Sequence, residues 1–570
     1  MQDNDIKNLI AQAIGSGFSS DEILTNLETP PNPEMGDYAL VCHKFAAKLR
    51  KSPQMIAGEI AAGLTELPYP LIGAEAIGGY VNFRIDKEYR VKKVFTRVLN
   101  QKENYGAGEA IGKTICIDYS SINIAKPFHI GHLSTTVIGA ALYRIYKKLG
   151  YNVVGINHLG DWGTQFGKLI YAFLAWSNRE KLKEKGISEL TSLYVRFHKE
   201  AERDAALDEK AREWFKKLEE GDKQAAGLFN LFKEITLAEA NKVYDRLGVV
   251  FDSYNGEAFY NDKMDIVIEE LNEKGLLSDS EGAKIVNLEE YGMAPCLIKK
   301  ADGASLYATR DLAAAYYRKR VYNFDKCLYV VAYQQNLHFR QVFKVLELLG
   351  KDWVRDMVHV QFGMVSLEEG TMSTRLGKVV LLQDVLDRAC GKALEVIAQK
   401  NPELEGKEEI AEMVGTGAVV FGTLYNNRIK DIVFSYDKAL NFDGETGPYL
   451  QYTAARCASV LEKGGCEHLL SQDFEYKDEF FGVDNKEGEA VITLLDTYPA
   501  VIREAAEKYE PSLISRHLID LAQAFNKFYY EHRILSEGRE RAGRLALTCA
   551  VRHVLCEGLR LLGIKIPPKM

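Results

Sequence analysis

No apolar run in the 570-residue sequence is long enough to span a bilayer. The opening MQDNDIKNLI lacks the basic-then-apolar shape of a secretory signal. A cytoplasmic location without membrane contact is therefore expected. Nine cysteines are scattered, and none forms a C-x-x-C pair. That argues against a zinc knuckle and against a disulfide framework, and it suits a reducing compartment. Proline is sparse, 14 in all. Pro30, Pro31 and Pro33 crowd one segment, TPPNPEMGDYA (29–39), and forbid a helix there. Basic excess is also missing: 72 Lys and Arg face 80 Asp and Glu, for a net charge of −8. The usual footprint of a nucleic-acid binder is thus absent. A local stripe of Lys and Arg can still bind phosphates on an acidic protein, so composition is silent on the partner.

What is present is ordinary globular material, 46% hydrophobic and 27% charged, in a chain too long for one core. Its length predicts about three or four structural units. Residues 1–108 read as a small α+β unit, with a turn at Gly78-Gly79 before a strand, YVNFRI (80–85). From about 109 the pattern alternates. TICIDYS (114–120), NVVGIN (152–157), CLYVVAY (327–333) and MVHVQF (357–362) are strands; 133–149, 163–176 and 337–349 are helices. Such alternation predicts a Rossmann-like, doubly wound parallel sheet spanning 109–440, with a charged helical insert at about 178–247. From 441 to 570 the periodicity predicts an all-α bundle, interrupted by an acidic segment at 462–488.

Ligands of open α/β sheets bind beyond the carboxyl ends of the strands. The first strand of this sheet runs through SSINIAKPFHIGHLSTT (120–136) into a helix. Free N–H groups and the helix dipole make that junction an anion site. His129 and His132 lie three apart around Gly131, which lets a nucleotide approach the backbone. Histidines so placed can donate to a pentavalent α-phosphate as charge develops. Two unrelated loop histidines, or a metal pair, would give the same H-x-x-H spacing; the position after the strand, beside Lys126, favours the phosphate. A second loop, MVSLEEGTMSTRLGK (364–378), follows the last strand and is polar and basic around Ser373 and Arg375. Taken alone it reads equally as a hairpin.

The first loop resembles the HIGH signature of class I aminoacyl-tRNA synthetases, and the second resembles their KMSK loop in its M-S-T-R form. The segments 118–132, NHLGDWGTQFG (157–167), SLYATRDLAAA (305–315), YQQNLHF (333–339) and GPYLQYTAAR (447–456) narrow the resemblance to the arginyl-tRNA synthetases. It covers essentially the whole chain. It implies an N-terminal tRNA-binding add-on, a catalytic domain and a helical anticodon-binding domain. Four positions depart from the family pattern: Ile122 for Pro, Ser134 for Arg, and Thr371 and Leu376 for the loop lysines. These bear on rate more than on the reaction.

The resemblance implies formation of arginyl-adenylate from ATP and arginine, then transfer to the 3′-terminal ribose of tRNA(Arg). Mg²⁺ is expected on the phosphates, no protein-bound metal is expected, and a monomer is. It implies catalytic roles for Lys126, His129, His132, Ser373 and Arg375. ATP contacts are implied for Lys126, His129, Gly131, His132, Met364 and Val365. Asp311 would face the guanidinium, with Tyr307 and Glu257 in support. Asp118, Ser120, Asn123 and Gln335 would hold the amino-acid head with His132. From the residues alone, Asp311 is equally an acid in the first turn of a helix, and Asp118 and Asn123 could cap their loop. Aromatic and basic side chains interleave on 447–463 and 513–535, a pattern that suits unpaired bases. On those segments Phe525 and Phe528 read as core. The resemblance favours RNA contact for Tyr449, Tyr452, Arg456 and Met570, and for Asn82 and Phe83 of the add-on. Two alternatives stand: a synthetase for another amino acid, and a paralogue that binds RNA without catalysis.

Overall fold

Several helices of this chain begin where the sequence offers a capping group. In the computed structural model Asp86 caps the Lys87–Gln101 helix by accepting from the Tyr89 N–H at 2.8 Å. Ser19 and Glu22 form a reciprocal capping box. Asp222 opens the longest insert helix, Lys223–Leu247, which ends on Gly248 in the left-handed region, φ 61°. The structure describes residues 3–15, 17–30, 35–300, 307–367, 380–471, 473–477 and 482–570.

The chain divides into two units. The first comprises residues 1–105, 457–496 and 523–553. Its sheet is antiparallel: β1 (Leu27–Glu28), β2 (Tyr38–Val41), β3 (Leu71–Ile77) and β4 (Tyr80–Ile85), in the order β1-β2-β4-β3. Ile6, Ile10, Ile23, Leu40, Phe45, Val81 and Phe83 form the core under it. Phe525 and Phe528, read as core, are fully buried in this unit.

The second unit comprises 106–456, 497–522 and 554–570. Residues beyond 441 thus contribute to both units. Its main sheet starts with β5 (Thr114–Asp118) and, after the Leu133–Lys148 helix, β6 (Asn152–Ile156). A three-stranded antiparallel sheet, β7 (Leu277–Ser280), β8 (Ala283–Val286) and β9 (Cys296–Lys299), intervenes between the halves. Then come β10 (Lys326–Ala332), the Asn336–Leu348 helix and β11 (Met357–Phe362). The main sheet is parallel throughout, in the order β11-β10-β5-β6. Each half winds outward from the β5–β10 pair, so the strand order reverses between these two strands. That reversal opens a crevice at their carboxyl ends. The insert expected at 178–247 is four helices. A last short pair, β12 (Val365–Leu367) and β13 (Ile432–Phe434), is parallel.

Candidate active site

The loop leaving β5 holds three non-glycine residues at left-handed φ: Ser120 at 70°, Ser121 at 47° and Ala125 at 62°. Each such residue is strained, and the strain persists only where surrounding bonds fix the loop. Those bonds are present. Ser120 N–H donates to Thr135 Oγ1 at 3.0 Å and Ala125 N–H to Thr236 Oγ1 at 3.0 Å. Ile124 N–H donates to Gly160 O, and Gly160 N–H to Ile122 O. A Cβ on Gly160 would lie 2.4 Å from Asn123 Oδ1, so only glycine fits beside that amide.

His129, Ile130, Gly131 and His132 then form a short 3-10 turn at the start of the Leu133–Lys148 helix. His129 Nδ1 accepts the Gly131 N–H at 3.1 Å, which leaves the proton on Nε2. His132 Nδ1 lies 3.3 Å from the His129 N–H and completes the capping box. The two rings are 4.0 Å apart, inclined at 40°. Burial pushes the His132 imidazole down to about 3 and also lowers that of His129; Lys126 depresses both further. Both rings are therefore neutral hydrogen-bond donors at ordinary pH. Lys126 itself is exposed.

The same turn pairs with the chain at 380–382. Ile130 N–H donates to Val380 O at 3.1 Å, and Leu382 N–H to Phe128 O at 3.0 Å. Ser373 and Arg375, with Thr371 and Leu376, lie outside the described residues. Met364 is held through its backbone by Asp431 Oδ1 and the Ile432 N–H. Val365, also expected at the nucleotide, is buried in β12.

Acidic groups gather on the other elements around the strand ends. Asp311, in the Tyr307–Tyr322 helix, has Oδ2 at 2.6 Å from His338 Nε2 and Oδ1 at 3.7 Å from His158 Nε2. Tyr307 is exposed, and its ring sits 4.6 Å from that of His338. The Asp311 carboxylate pushes the Tyr307 phenol upward. Glu257 starts a 3-10 turn and feels Arg310, Asp311 and Asp161; burial pushes its carboxyl up to about 7. Asp161, fully buried, fixes that turn by accepting the Ala258 N–H at 2.8 Å while it pairs with Lys233 at 2.8 Å. Gln335 is exposed in the one-turn helix after β10.

Asp118 ends β5 and is buried. Its Oδ2 pairs with Arg318 Nη2 at 2.7 Å, and its Oδ1 accepts from Ser121 Oγ at 2.9 Å. Ser120 departs from expectation. Its hydroxyl bonds Tyr244 Oη at 2.7 Å and Thr136 Oγ1 at 2.9 Å, inside the protein. Ser120 therefore holds the loop, and Ser121 is the serine beside Asp118. Asp161, His158, Arg318, His338 and Ser121 escaped the sequence reading. All except Arg318 sit in the segments 118–132, 157–167 and 333–339, so the signal for them lay in motifs already singled out.

Of the expected RNA contacts, Tyr449, Tyr452 and Arg456 follow at helical spacing along Gly447–Gly464. Arg456 stacks over the Tyr452 ring at 4.8 Å, and Tyr452 is exposed. Met570 packs, partly buried, against a core cluster that includes Ala393, Ile397 and Val414. Asn82 and Phe83 are both buried in β4, and Phe83 has no exposed surface. The Phe83 side chain is core, which corrects its assignment to an RNA-facing position.

Three family models match the chain: "tRNA synthetases class I (R), catalytic domain" over residues 94–436, "DALR anticodon binding domain" over 450–570, and "Arginyl tRNA synthetase N terminal domain" over 4–85. The chain is 52% identical to an arginine--tRNA ligase of Halothermothrix orenii over 565 residues, covering 99% of this chain and 98% of that one. It is 51% identical to that of Clostridioides difficile over 567 residues, 99% of each. Among solved structures it resembles the Thermus thermophilus arginyl-tRNA synthetase, with TM-score 0.82, 24% identity and full coverage of both chains. It also resembles the Plasmodium falciparum enzyme, with TM-score 0.80, 23% identity, and 100% and 99% coverage. These last two likenesses carry the fold alone.

Proposed function

The chain belongs to the arginyl-tRNA synthetases of class I, and from that premise we propose how its own side chains divide the reaction. The chain ligates arginine to tRNA(Arg): ATP and arginine give arginyl-adenylate and pyrophosphate, and the arginyl group then passes to the tRNA. The adenylate step needs in-line positioning and charge stabilisation rather than a covalent enzyme intermediate.

The observation that carries the division of labour is the pairing of His129 and His132 at the end of β5, rings 4.0 Å apart, with Nδ1 of His129 turned to the backbone. Two neutral N–H donors on one turn suit an α-phosphate whose charge grows in the transition state. Lys126 adds a cation in the same loop, Gly131 leaves the backbone approachable, and Ser373 and Arg375 act from the second loop. Mg²⁺ enters with ATP, as part of the nucleotide substrate. Asp311 and Glu257, with Tyr307 beside them, take the guanidinium. Asp118, Asn123 and Gln335 take the amino-acid head, with Ser121 in the place first given to Ser120. Tyr449, Tyr452, Arg456 and Met570 meet RNA, as does the region around Asn82. The boundaries 1–108, 109–440 and 441–570 separate these tasks, in a monomer located in the cytoplasm.

ATP–pyrophosphate exchange with each amino acid, plus and minus tRNA, tests this reading. Arginine-dependent exchange is expected. Exchange with another amino acid, or none with any, overturns it.

A further inference from the structure

Arg318 is the largest fully buried side chain of the protein's described residues, at 1% exposure. It lies in YYRKRVY, where Lys319 and Arg320 follow it. A guanidinium is strongly disfavoured in the interior unless a carboxylate and hydrogen bonds receive it. One carboxylate does, Asp118, at 2.7 Å from Nη2. The Tyr329 ring lies 5.2 Å from the guanidinium carbon. Arg318 Nε and Nη1 have no hydrogen-bond partner among the described residues. Packing alone does not call for so costly a residue here, since an apolar side chain of similar volume would fill the space. Its contacts point to the substrate site instead.

Two contacts matter. The first fixes Asp118. With Oδ2 engaged by Arg318 and Oδ1 by the Ser121 hydroxyl, the carboxylate is held in one orientation at the end of β5. The second reaches the other acid. Arg318 Nη2 lies 3.4 Å from His158 Nδ1. A guanidinium can only donate, so that nitrogen is the acceptor and the proton sits on Nε2. His158 Nε2 faces Asp311 Oδ1 at 3.7 Å, an electrostatic contact beyond hydrogen-bond distance, and has no hydrogen-bond partner among the described residues. One buried cation thus addresses the acid proposed for the amino-acid head and, through one imidazole, the acid proposed for the guanidinium.

We propose that Arg318 is a positioning residue for the amino-acid site. It aims Asp118 at the substrate's α-ammonium group, and it sets the His158 tautomer that presents an N–H to Asp311. The assignment rests on the arginine site described above. It adds a rule of recognition: the protein uses an internal guanidinium to order the two carboxylates that a substrate with both an ammonium and a guanidinium must find at a fixed separation.

The test compares arginine with its analogue lacking the α-amino group, δ-guanidinovaleric acid, as a competitive inhibitor of ATP–pyrophosphate exchange by the full chain. Wild-type exchange with arginine checks the underlying site; its absence would condemn that reading and not this one. In Arg318→Lys the point charge remains but the planar fork is lost. The arginine KM should rise by about tenfold to a hundredfold, the range for a lost charge-assisted hydrogen bond. The analogue should weaken less, since it loses only the part that runs through His158 to Asp311, and the ATP KM should hold. Equal weakening of all three, or an unchanged arginine KM, overturns the proposal. Because Arg318→Lys can fail to fold, a second pair decides independently. His158→Asn is too short to present a donor to Asp311, whereas His158→Gln carries an amide nitrogen near the position of Nε2. The Asn variant should weaken arginine and the analogue alike, and the Gln variant should recover most of that loss. Indistinguishable Asn and Gln variants would also overturn it.

Discussion

Lys148, the last residue of the helix that begins at the paired histidines, places its ammonium 2.8 Å from Glu557, with side-chain exposures of only 5% and 2%. Arg560 also holds Glu557, through both carboxylate oxygens at 2.7 and 2.8 Å. The carboxylate is therefore shared between one buried and one exposed cation. Glu557→Gln removes the carboxylate charge that Lys148 and Arg560 share, and removing one partner of a buried pair costs about 3–5 kcal/mol. Lys148→Met removes the buried cation and leaves Glu557 with Arg560, so it should cost clearly less. Denaturant unfolding of the two variants checks this ordering; the reverse order would show that Arg560 does not sustain the carboxylate.

The neutral state of the two histidines has a pH signature. Burial lowers the His132 imidazole from the usual 6.5 to about 3. Between these values the unfolded chain binds a proton that the folded chain refuses. This group therefore contributes nothing above about pH 6.5 and progressively destabilises the fold as pH falls below it. His553 shifts the same way, to about 4, again through burial. His132→Gln should flatten the fall in urea midpoint between pH 7 and pH 5. His132→Ala and His129→Ala should each slow adenylation by about 10²–10³ while leaving the fold intact, the loss expected for one transition-state donor. Wild-type exchange by a folded His132→Ala protein removes the assignment.

Glu257 gives a second pH dependence, from the same cause but with a shift in the opposite direction. Burial raises its carboxyl to about 7, with Arg310 opposing the shift and Asp311 and Asp161 adding to it. Above that value the group is ionised and attracts a guanidinium; below it the attraction is lost. The arginine KM should fall as pH rises through about 7, and the ATP KM should not follow. His158 and His338 also face Asp311, so the control is Glu257→Gln, which should abolish the trend. A trend that persists in that variant would show that Glu257 is not its source. Asp311→Asn should weaken arginine at every pH, by a few kcal/mol, as for a charge left unpaired.

The parallel sheet was legible because its strands are buried on both faces and read as unbroken apolar runs, TICID and CLYVVA among them. The β7–β9 sheet was not. Its strands are four residues each, LSDS, AKIV and CLIK, too short for a sustained alternation, and LSDS is mostly exposed. The site divides the same way. The side chains proposed to meet a ligand stand in motifs at fixed spacing, so His129, His132 and Asp311 could be named from the sequence. The groups that orient them are set by tertiary packing. Arg318 reads as one charge in a run of three, and only the fold shows it inside. Ser120 and Ser121 are adjacent and chemically identical; only the loop backbone, φ 70° and 47°, decides which hydroxyl faces Tyr244 and which faces Asp118.

Lys126 carries the remaining question of phosphate charge. The second loop keeps Ser373 and Arg375, but Thr371 and Leu376 stand where the family often has lysines. A triphosphate becoming pyrophosphate needs cationic compensation, and on the proposed reading Mg²⁺ with Arg375 would supply only part of it. Lys126 is exposed, three residues before His129, and close enough to depress both imidazoles electrostatically. A flexible ammonium in that place can follow a phosphate that moves during the reaction. Lys126→Ala should therefore cripple exchange with arginine and tRNA saturating, and Leu376→Lys added to it should restore part of the rate. The structural alternative is a solvated charge before Pro127, and a near-normal single variant would establish it. A crippled variant without rescue would keep Lys126 at the phosphates but deny that it substitutes for the loop lysine. The two positions can exchange roles only if both reach the same oxygens.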